Sequence, residues 1–195
     1  MKEIFWKLSF LILFLIWFFI RMPYSRKSKK IGIKIKKQIN LERLLVILNF
    51  VSMMFLPLFV VFRREIDFAT MGTPSFIRWL ALSLYAFNLI FFLWCHKHLD
   101  KNWSNVLEIK KDHRLIQTGP YKKIRHPMYT HFWILIISQG FFLNSWIVLS
   151  YGILAWGVLY FLRVKKEEEM MIEEFGEEYK EYMKKTGRLF PKILK

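Results

Sequence analysis

Five long apolar runs leave this chain few choices of fold. A helix needs about 20 apolar residues to cross a bilayer, with a working range of roughly 17–25. Ile4–Ile20, Leu44–Phe62, Phe76–Cys95, Tyr129–Leu143 and Trp146–Leu162 are the candidates. The first competes with a cleaved leader, but Arg21-Met22-Pro23 is not a small-residue cleavage site, which favours a retained span. Pro57 marks a kink in the second run. Arg78, near the start of the third, is expected to snorkel toward water. Only Asn144-Ser145 separates the last two runs, a tight turn that makes them antiparallel neighbours. At 1.5 Å per residue the fourth is only about 22 Å long, which leaves open whether it crosses fully. The expected fold is all-α and integral to a membrane. It has five transmembrane helices, a hairpin formed by the fourth and fifth, and a cytoplasmic C-terminal helix. Residues 1–40 hold the first helix and a basic loop; residues 41–195 form the core.

Composition supports this and assigns sides. The chain is 54% hydrophobic, above the roughly 45–50% of soluble domains. Even so, 31 Lys and Arg face 15 Asp and Glu, a net charge of +16. The bases flank apolar runs and line no single continuous patch. They point to anionic lipid and away from nucleic acid. Arg21, Arg26, Lys27, Lys29, Lys30, Lys34, Lys36, Lys37 and Arg43 follow the first run, so that loop is expected to be cytoplasmic. The loop from Arg63 to Ser75 holds fewer bases and is expected outside. The loop from His96 to Pro127, with Lys97, Lys101, Lys110, Lys111, Lys122, Lys123 and Arg125, returns to the cytoplasm. The amino terminus then lies outside, in the cell membrane of a prokaryote or the endoplasmic reticulum of a eukaryote. Cys95, the single cysteine, excludes an intrachain disulfide and is expected to pack as a small hydrophobe. The five histidines show no zinc-ligand spacing, so no metal is expected.

The polar residues gather on the cytoplasmic side. Gly119-Pro120 signals a turn. Pro127 suits the first turn of a helix, which sets Arg125 and His126 at the amino end of the fourth span. That end carries free N–H groups and partial positive charge, a natural carboxylate site; an interfacial anchor is the plainer alternative. Arg163 and Glu167 stand four residues apart on one helical face, where a simple solvated ion pair would also serve. The turn at Asn144-Ser145 brings the end of the fifth helix beside the start of the fourth. Arg125, His126, Tyr129, Arg163 and Glu167 can then share one pocket suited to a zwitterionic ligand. Glu173 to Lys185 reads as a further helix broken or started near Gly176. It carries Phe175, Tyr179 and Tyr182 on one face, either as packing or as a lid. There is no glycine-rich dinucleotide fingerprint, P-loop, G-x-S-x-G elbow or H-E-x-x-H.

At these residues the chain resembles the isoprenylcysteine carboxyl methyltransferase family, within a wider group that includes phospholipid methyltransferases. The matching series is Asn102-Trp103-Ser104, His113-Arg114-Leu115-Ile116, Gly119-Pro120-Tyr121, Arg125-His126-Pro127-Met128-Tyr129, Arg163, Glu167-Glu168 and Phe175-Gly176-Glu177-Glu178-Tyr179. It covers about half the chain, and the short five-span layout looks most like archaeal members. The resemblance implies S-adenosyl-L-methionine as methyl donor. By position it implies that His113, Arg114, Leu115, Ile116, Tyr121, His126, Pro127, Met128, Tyr129 and Glu167 contact that cofactor. It implies too that Arg163 is the catalytic arginine that binds the substrate carboxylate. The implied acceptor is a prenylcysteine or another lipophilic carboxylate, small or peptide-borne. His131 stands where related sequences often have a small residue, which would reshape the pocket. Three other readings stay open: methylation of a phospholipid amine with Glu168 or His126 as base, an NADPH-dependent membrane reductase, and a non-catalytic lipid-binding scaffold.

Overall fold

A computed structural model describes residues 2–36, 40–62, 69–104, 107–111 and 113–192. Of the loop expected outside, residues 63–68 fall beyond the described residues, as does Lys37 of the basic run. Helix α1 spans Lys2–Lys29, β1 Ile33–Lys36, α2 Asn40–Phe50, α3 Leu56–Phe62 and α4 Ser75–Leu99. Strand β2 follows at Glu108–Lys110, then α5 Pro127–Phe142, α6 Trp146–Phe175 and α7 Glu177–Lys185.

Among the described residues four helical stretches are long and apolar enough to cross a membrane: Glu3–Lys29, Asn40–Phe62, Ser75–Asn102 and Trp146–Phe175. The fourth expected span, in α5, has 16 residues, about 24 Å against a hydrocarbon core of about 30 Å. Helix α5 is the hub of the bundle. It is apolar on nearly every side, as suits a helix enclosed by neighbours, and it packs on both α4 and α6. Close approach to α6 depends on two small residues. A Cβ at Gly140 would lie 2.6 Å from Leu149 Cβ, and one at Gly152 would lie 2.8 Å from Ile136 Cγ2.

The hairpin forms at the predicted turn. Asn144 takes φ 55°, and Ser145 Oγ caps α6 by accepting the Val148 N–H at 3.5 Å. Asn144 Oδ1 also accepts the Thr73 N–H at 2.7 Å, which docks the loop before α4 on the same end.

Three local expectations change. First, Arg78 does not snorkel. Its side chain is buried, with Nη1 2.7 Å from Glu3 Oε1 and Nε donating to the Phe142 carbonyl at 3.2 Å. Its guanidinium also lies 4.4 Å from the Trp6 ring centre. The partner on α1 makes water unnecessary. Second, the kink at Pro57 takes the form of a π turn at Val51–Phe55, in which the Leu56 N–H reaches back to the Val51 carbonyl. Pro57 has no N–H and its ring crowds the carbonyl four residues earlier, so a widened turn relieves both. Third, the fold is not purely helical, because β1 and β2 pair antiparallel. The Ile-Lys-Ile-Lys alternation of β1 carries that signal at period two. Lys34 of this stretch pairs with Glu174 at 2.6 Å, a contact within the protein.

Aromatic packing ties α1 into the bundle. Trp6, Phe10, Phe14 and Trp17 join Tyr85, Phe92, Cys95 and Leu135 in one core cluster. Cys95 is a buried free thiol, as expected. His131 is a core residue: it accepts the Trp17 Nε1–H at 3.2 Å, its Nδ1 lies 3.1 Å from Asn88 Oδ1, and it stacks on Phe92. It does not belong to the cavity lining.

Candidate active site

The site grows from the amino end of α5. Gly119 has φ 56°, and a Cβ there would lie 2.3 Å from His98 Nε2, so glycine is needed on both counts. The short turn Gly119–Lys122 then delivers Tyr121 inward, and Pro127 opens α5 with His126 as its N-cap.

The C-terminal segment locks this end in place. Ile124 and Gly187 form a parallel bridge. The Arg125 N–H donates to the Gly187 carbonyl at 2.8 Å and the His126 N–H to the Arg188 carbonyl at 3.0 Å. Thr130 Oγ1 donates to the Leu189 carbonyl at 2.7 Å, and Tyr182 Oη to the Tyr121 carbonyl at 2.6 Å. Helix α6 breaks at Gly176, φ 56°, which folds α7 back so that Tyr179 and Tyr182 are buried. Burial pushes the Tyr121, Tyr179 and Tyr182 phenols well above their ordinary range, so none of the three is an acid or base at neutral pH.

Two consecutive glutamates of α6 divide the electrostatics. Successive residues point about 100° apart on a helix, and these two face different surroundings. Glu168, with 6% of its side chain exposed, accepts from Arg125 Nε at 3.0 Å and Arg188 Nε at 3.2 Å and lies 3.2 Å from His126 Nε2. Burial alone would raise its pKa, but the hydrogen bonds from His126, Arg188 and Arg125 outweigh it and hold the carboxyl well below the usual carboxylate range. Glu167, 34% exposed, turns the other way. It accepts a hydrogen bond from Tyr129 Oη and lies 3.7 Å from His126 Nδ1 and 3.6 Å from Arg163 Nε. The His126 and Tyr129 rings stack 5.2 Å apart.

Glu167 and the groups around it border a cavity of about 540 Å³, with Glu168 behind its wall. All eleven residues named from the resemblance line it: His113, Arg114, Leu115, Ile116, Tyr121, His126, Pro127, Met128, Tyr129, Arg163 and Glu167. Arg125 lines it as well, so the expected convergence of Arg125, His126, Tyr129, Arg163 and Glu167 is present. Tyr179 and Tyr182 of the expected lid also border it. Three lining side chains carry buried polar atoms with no hydrogen-bond partner among the described residues: Tyr121 Oη, Asn49 Oδ1 and Trp156 Nε1. No group of described residues could hold a metal ion.

The sequence reasoning missed the opposite wall. Trp17, Arg21 and Ser25 of α1, and Val46, Asn49, Phe50 and Met53 from α2 and its π turn, line the same cavity. A polar Asn49 within an apolar run was the available signal, since such residues in a span face the interior. Glu42 of α2 was overlooked too: its Oε1 lies 3.7 Å from Arg163 Nη1.

Comparison with known proteins gives the same assignment. The model of the isoprenylcysteine carboxyl methyltransferase (ICMT) family matches residues 68–173, more than half of the chain. Protein-S-isoprenylcysteine O-methyltransferase of Schizosaccharomyces pombe is 28% identical over 131 residues, 62% of this chain and 55% of that protein. The enzyme of that name from Saccharomyces cerevisiae is 36% identical over 95 residues, 47% of this chain and 39% of its own. The chain thus spans about half or less of the curated relatives it matches. The solved structure of a eukaryotic intramembrane Ras methyltransferase ICMT has the same fold, with a TM-score of 0.54 at 20% identity, covering 77% of this chain and 52% of that one.

Proposed function

We propose, from the premise that this chain belongs to the isoprenylcysteine carboxyl methyltransferase family, that it is a membrane-embedded S-adenosyl-L-methionine-dependent methyltransferase. Its acceptor is the carboxylate of a prenylcysteine or a similar lipophilic acid. One observation carries this: a single, largely apolar cavity gathers Arg163, Glu167, His126 and the whole His113–Ile116 segment.

The residues fit the methyl donor. A cavity of about 540 Å³ is within the roughly 300–1,000 Å³ of cofactor sites. Glu167 offers acceptors to ribose hydroxyls or an amino group, the amino end of α5 beside His126 receives a carboxylate, and backbone groups of Leu115 and Ile116 suit the adenine edge. Tyr121 Oη is a buried hydroxyl with no hydrogen-bond partner among the described residues. When bound, S-adenosyl-L-methionine supplies an electrophilic methyl group on a sulfonium. The acceptor carboxylate is already ionised at neutral pH, so no residue need remove a proton. Arg163 holds it through charge-assisted hydrogen bonds. What remains for the protein is alignment and exclusion of water.

An amine acceptor would need a base, and neither candidate is suited. Glu168 is held by two arginines and His126, and both ring nitrogens of His126 face carboxylates. A wholly apolar groove of about 270 Å³ runs beside the cavity, lined by Phe14, Leu15 and Phe18 of α1 and by Phe50, Met54, Phe55 and Leu58. It shares Phe50 and Met54 with the main cavity, and it suits a prenyl chain arriving sideways from lipid. The α5–α6 hairpin supplies the fourth and fifth membrane segments. The basic loops put the cavity and α7 on the cytoplasmic side and the amino terminus outside.

Calorimetric titration of the detergent-purified protein with S-adenosylhomocysteine, with NADPH as comparison, tests the cofactor. Saturable binding of the former and not the latter is expected; the reverse would move the protein to the reductases. Methyl transfer to N-acetyl-S-farnesylcysteine rather than phosphatidylethanolamine is expected, and the opposite preference would replace the carboxylate acceptor with an amine.

A further inference from the structure

Glu42 lies on α2, outside the residues that the family model matches. Four and seven residues later on the same helical face come Val46 and Asn49, and both line the cavity. Glu42 continues that stripe to the cytoplasmic end of the helix, where it meets Arg163. Its side chain is only 6% exposed. A buried carboxylate is costly unless it is paired and hydrogen-bonded. Among the described residues it has one hydrogen bond, from the Leu107 N–H to Oε1 at 3.2 Å, and one ion pair, Oε1 to Arg163 Nη1 at 3.7 Å. Among the described residues its Oε2 is buried with no hydrogen-bond partner. An oxygen left in that state is costly.

Arg163 is thus bracketed by two carboxylates, Glu42 at 3.7 Å and Glu167 at 3.6 Å, approaching different nitrogens. Both separations exceed hydrogen-bonding length, so the two carboxylates act on the guanidinium through charge, while Tyr129 also lies against it as a hydrogen-bonding partner. Building on the function proposed above, we infer that Glu42 is a positioning residue for Arg163. Glu167 has a second task toward the cofactor, and Glu42 has none. Glu42 is therefore the fixed negative charge that keeps the guanidinium where an acceptor carboxylate meets it, and that prevents its collapse onto Glu167. The Leu107 contact sets the carboxylate's height, because Leu107 leads into β2 and the segment carrying His113–Ile116.

The test is calorimetry on the full-length protein with two probes, S-adenosylhomocysteine alone and N-acetyl-S-farnesylcysteine added to that complex. Glu42→Gln keeps an oxygen for the Leu107 N–H and removes the charge. Its expected signature is acceptor affinity weakened about tenfold with cofactor-product affinity changed less than about twofold, a tenfold change being about 1.4 kcal/mol. Against an Arg163→Lys background the same change should weaken the acceptor less than about twofold, because a residue acting through Arg163 couples to it. Full additivity would overturn the assignment, as would parallel loss of both affinities, which marks a merely structural carboxylate. If Glu42→Gln does not yield folded protein, Glu42→Asp keeps the charge one methylene further away. It should give a smaller loss of about threefold in the acceptor alone, and unchanged acceptor binding would sink the idea. Failure of the wild type to bind the acceptor would instead remove the proposed acceptor class, and Glu42's role with it.

Discussion

The two walls of the cavity differ in kind. The wall built from residue 102 onward is rich in polar groups that fix one another: Glu168 on Arg125, His126 and Arg188, and Glu167 on Tyr129. The wall built from α1 and α2 is mainly aromatic and thioether surface, interrupted by Arg21, Ser25 and Asn49. On the function proposed above, methyl transfer to an ionised acceptor asks little beyond placement, so polar groups gather where a zwitterionic cofactor is oriented. A lipid chain has no hydrogen bonds to satisfy, so the other wall needs only shape. On that reading one wall sets what is transferred and the other what receives it.

The largest break in that division is expected at Glu167. Glu167→Ala removes the one acidic side chain lining the cavity on α6 and leaves Tyr129 and Arg163 without it. Calorimetry with S-adenosylhomocysteine should find binding lost; near-wild-type affinity would move the cofactor elsewhere in the cavity. Arg163→Ala comes next. Truncating one member of a buried charged pair costs about 2–5 kcal/mol, so transfer to a carboxylate acceptor should fall about a hundredfold or more. Binding of S-adenosylhomocysteine should survive. Joint loss of both would make Arg163 part of the cofactor site.

A smaller effect tests the apolar wall. Met54 belongs to both the cavity and the groove against α1, and Met54→Trp should narrow their junction. Discrimination by pocket volume is modest, so KM for a farnesylated acceptor is expected to rise about tenfold. Affinity for S-adenosylhomocysteine and KM for a short-chain thioether acid should stay unchanged. If both acceptors and S-adenosylhomocysteine suffer alike, the groove is not the route of the lipid chain.

The same division explains what could be seen in advance. Helical repeats, the turn at Asn144-Ser145, Pro127 and the break at Gly176 are local signals, and each appears in the fold. The convergence of Arg125, His126, Tyr129, Arg163 and Glu167 followed because one two-residue turn fixes how α5 and α6 lie. Helix α1 has no such tether to the site. That Trp17 and Arg21 line the cavity depends on long-range packing of α1 against α4 and on the Trp17–His131 hydrogen bond. Arg78 shows the same limit: its partner Glu3 is 75 residues away, so spacing alone offered only water. The β1–β2 ladder was hidden because a run of Lys residues reads first as a lipid-facing loop, although Ile33 and Ile35 alternate with them.

The smallest effect concerns the clamp behind the polar wall, and its sign follows from Glu168. Burial raises that carboxyl's pKa, while hydrogen bonds from His126, Arg188 and Arg125 lower it further than burial raises it. A group whose folded pKa is depressed adds stability that is fully present above its unfolded value, about 4.3 for Glu, and that is lost as pH falls below it. Glu168→Gln should therefore lower the thermal midpoint of the detergent-solubilised protein by a constant amount from pH 7 down to about pH 5. The gap from wild type should then narrow as the pH drops below about 4, because the wild type loses what the variant never had. A gap that stays constant into strong acid would mean that the charge of Glu168 is not what holds residues 187–189 against the start of α5. The polar wall would then owe its shape to the backbone ladder at Ile124 and Gly187.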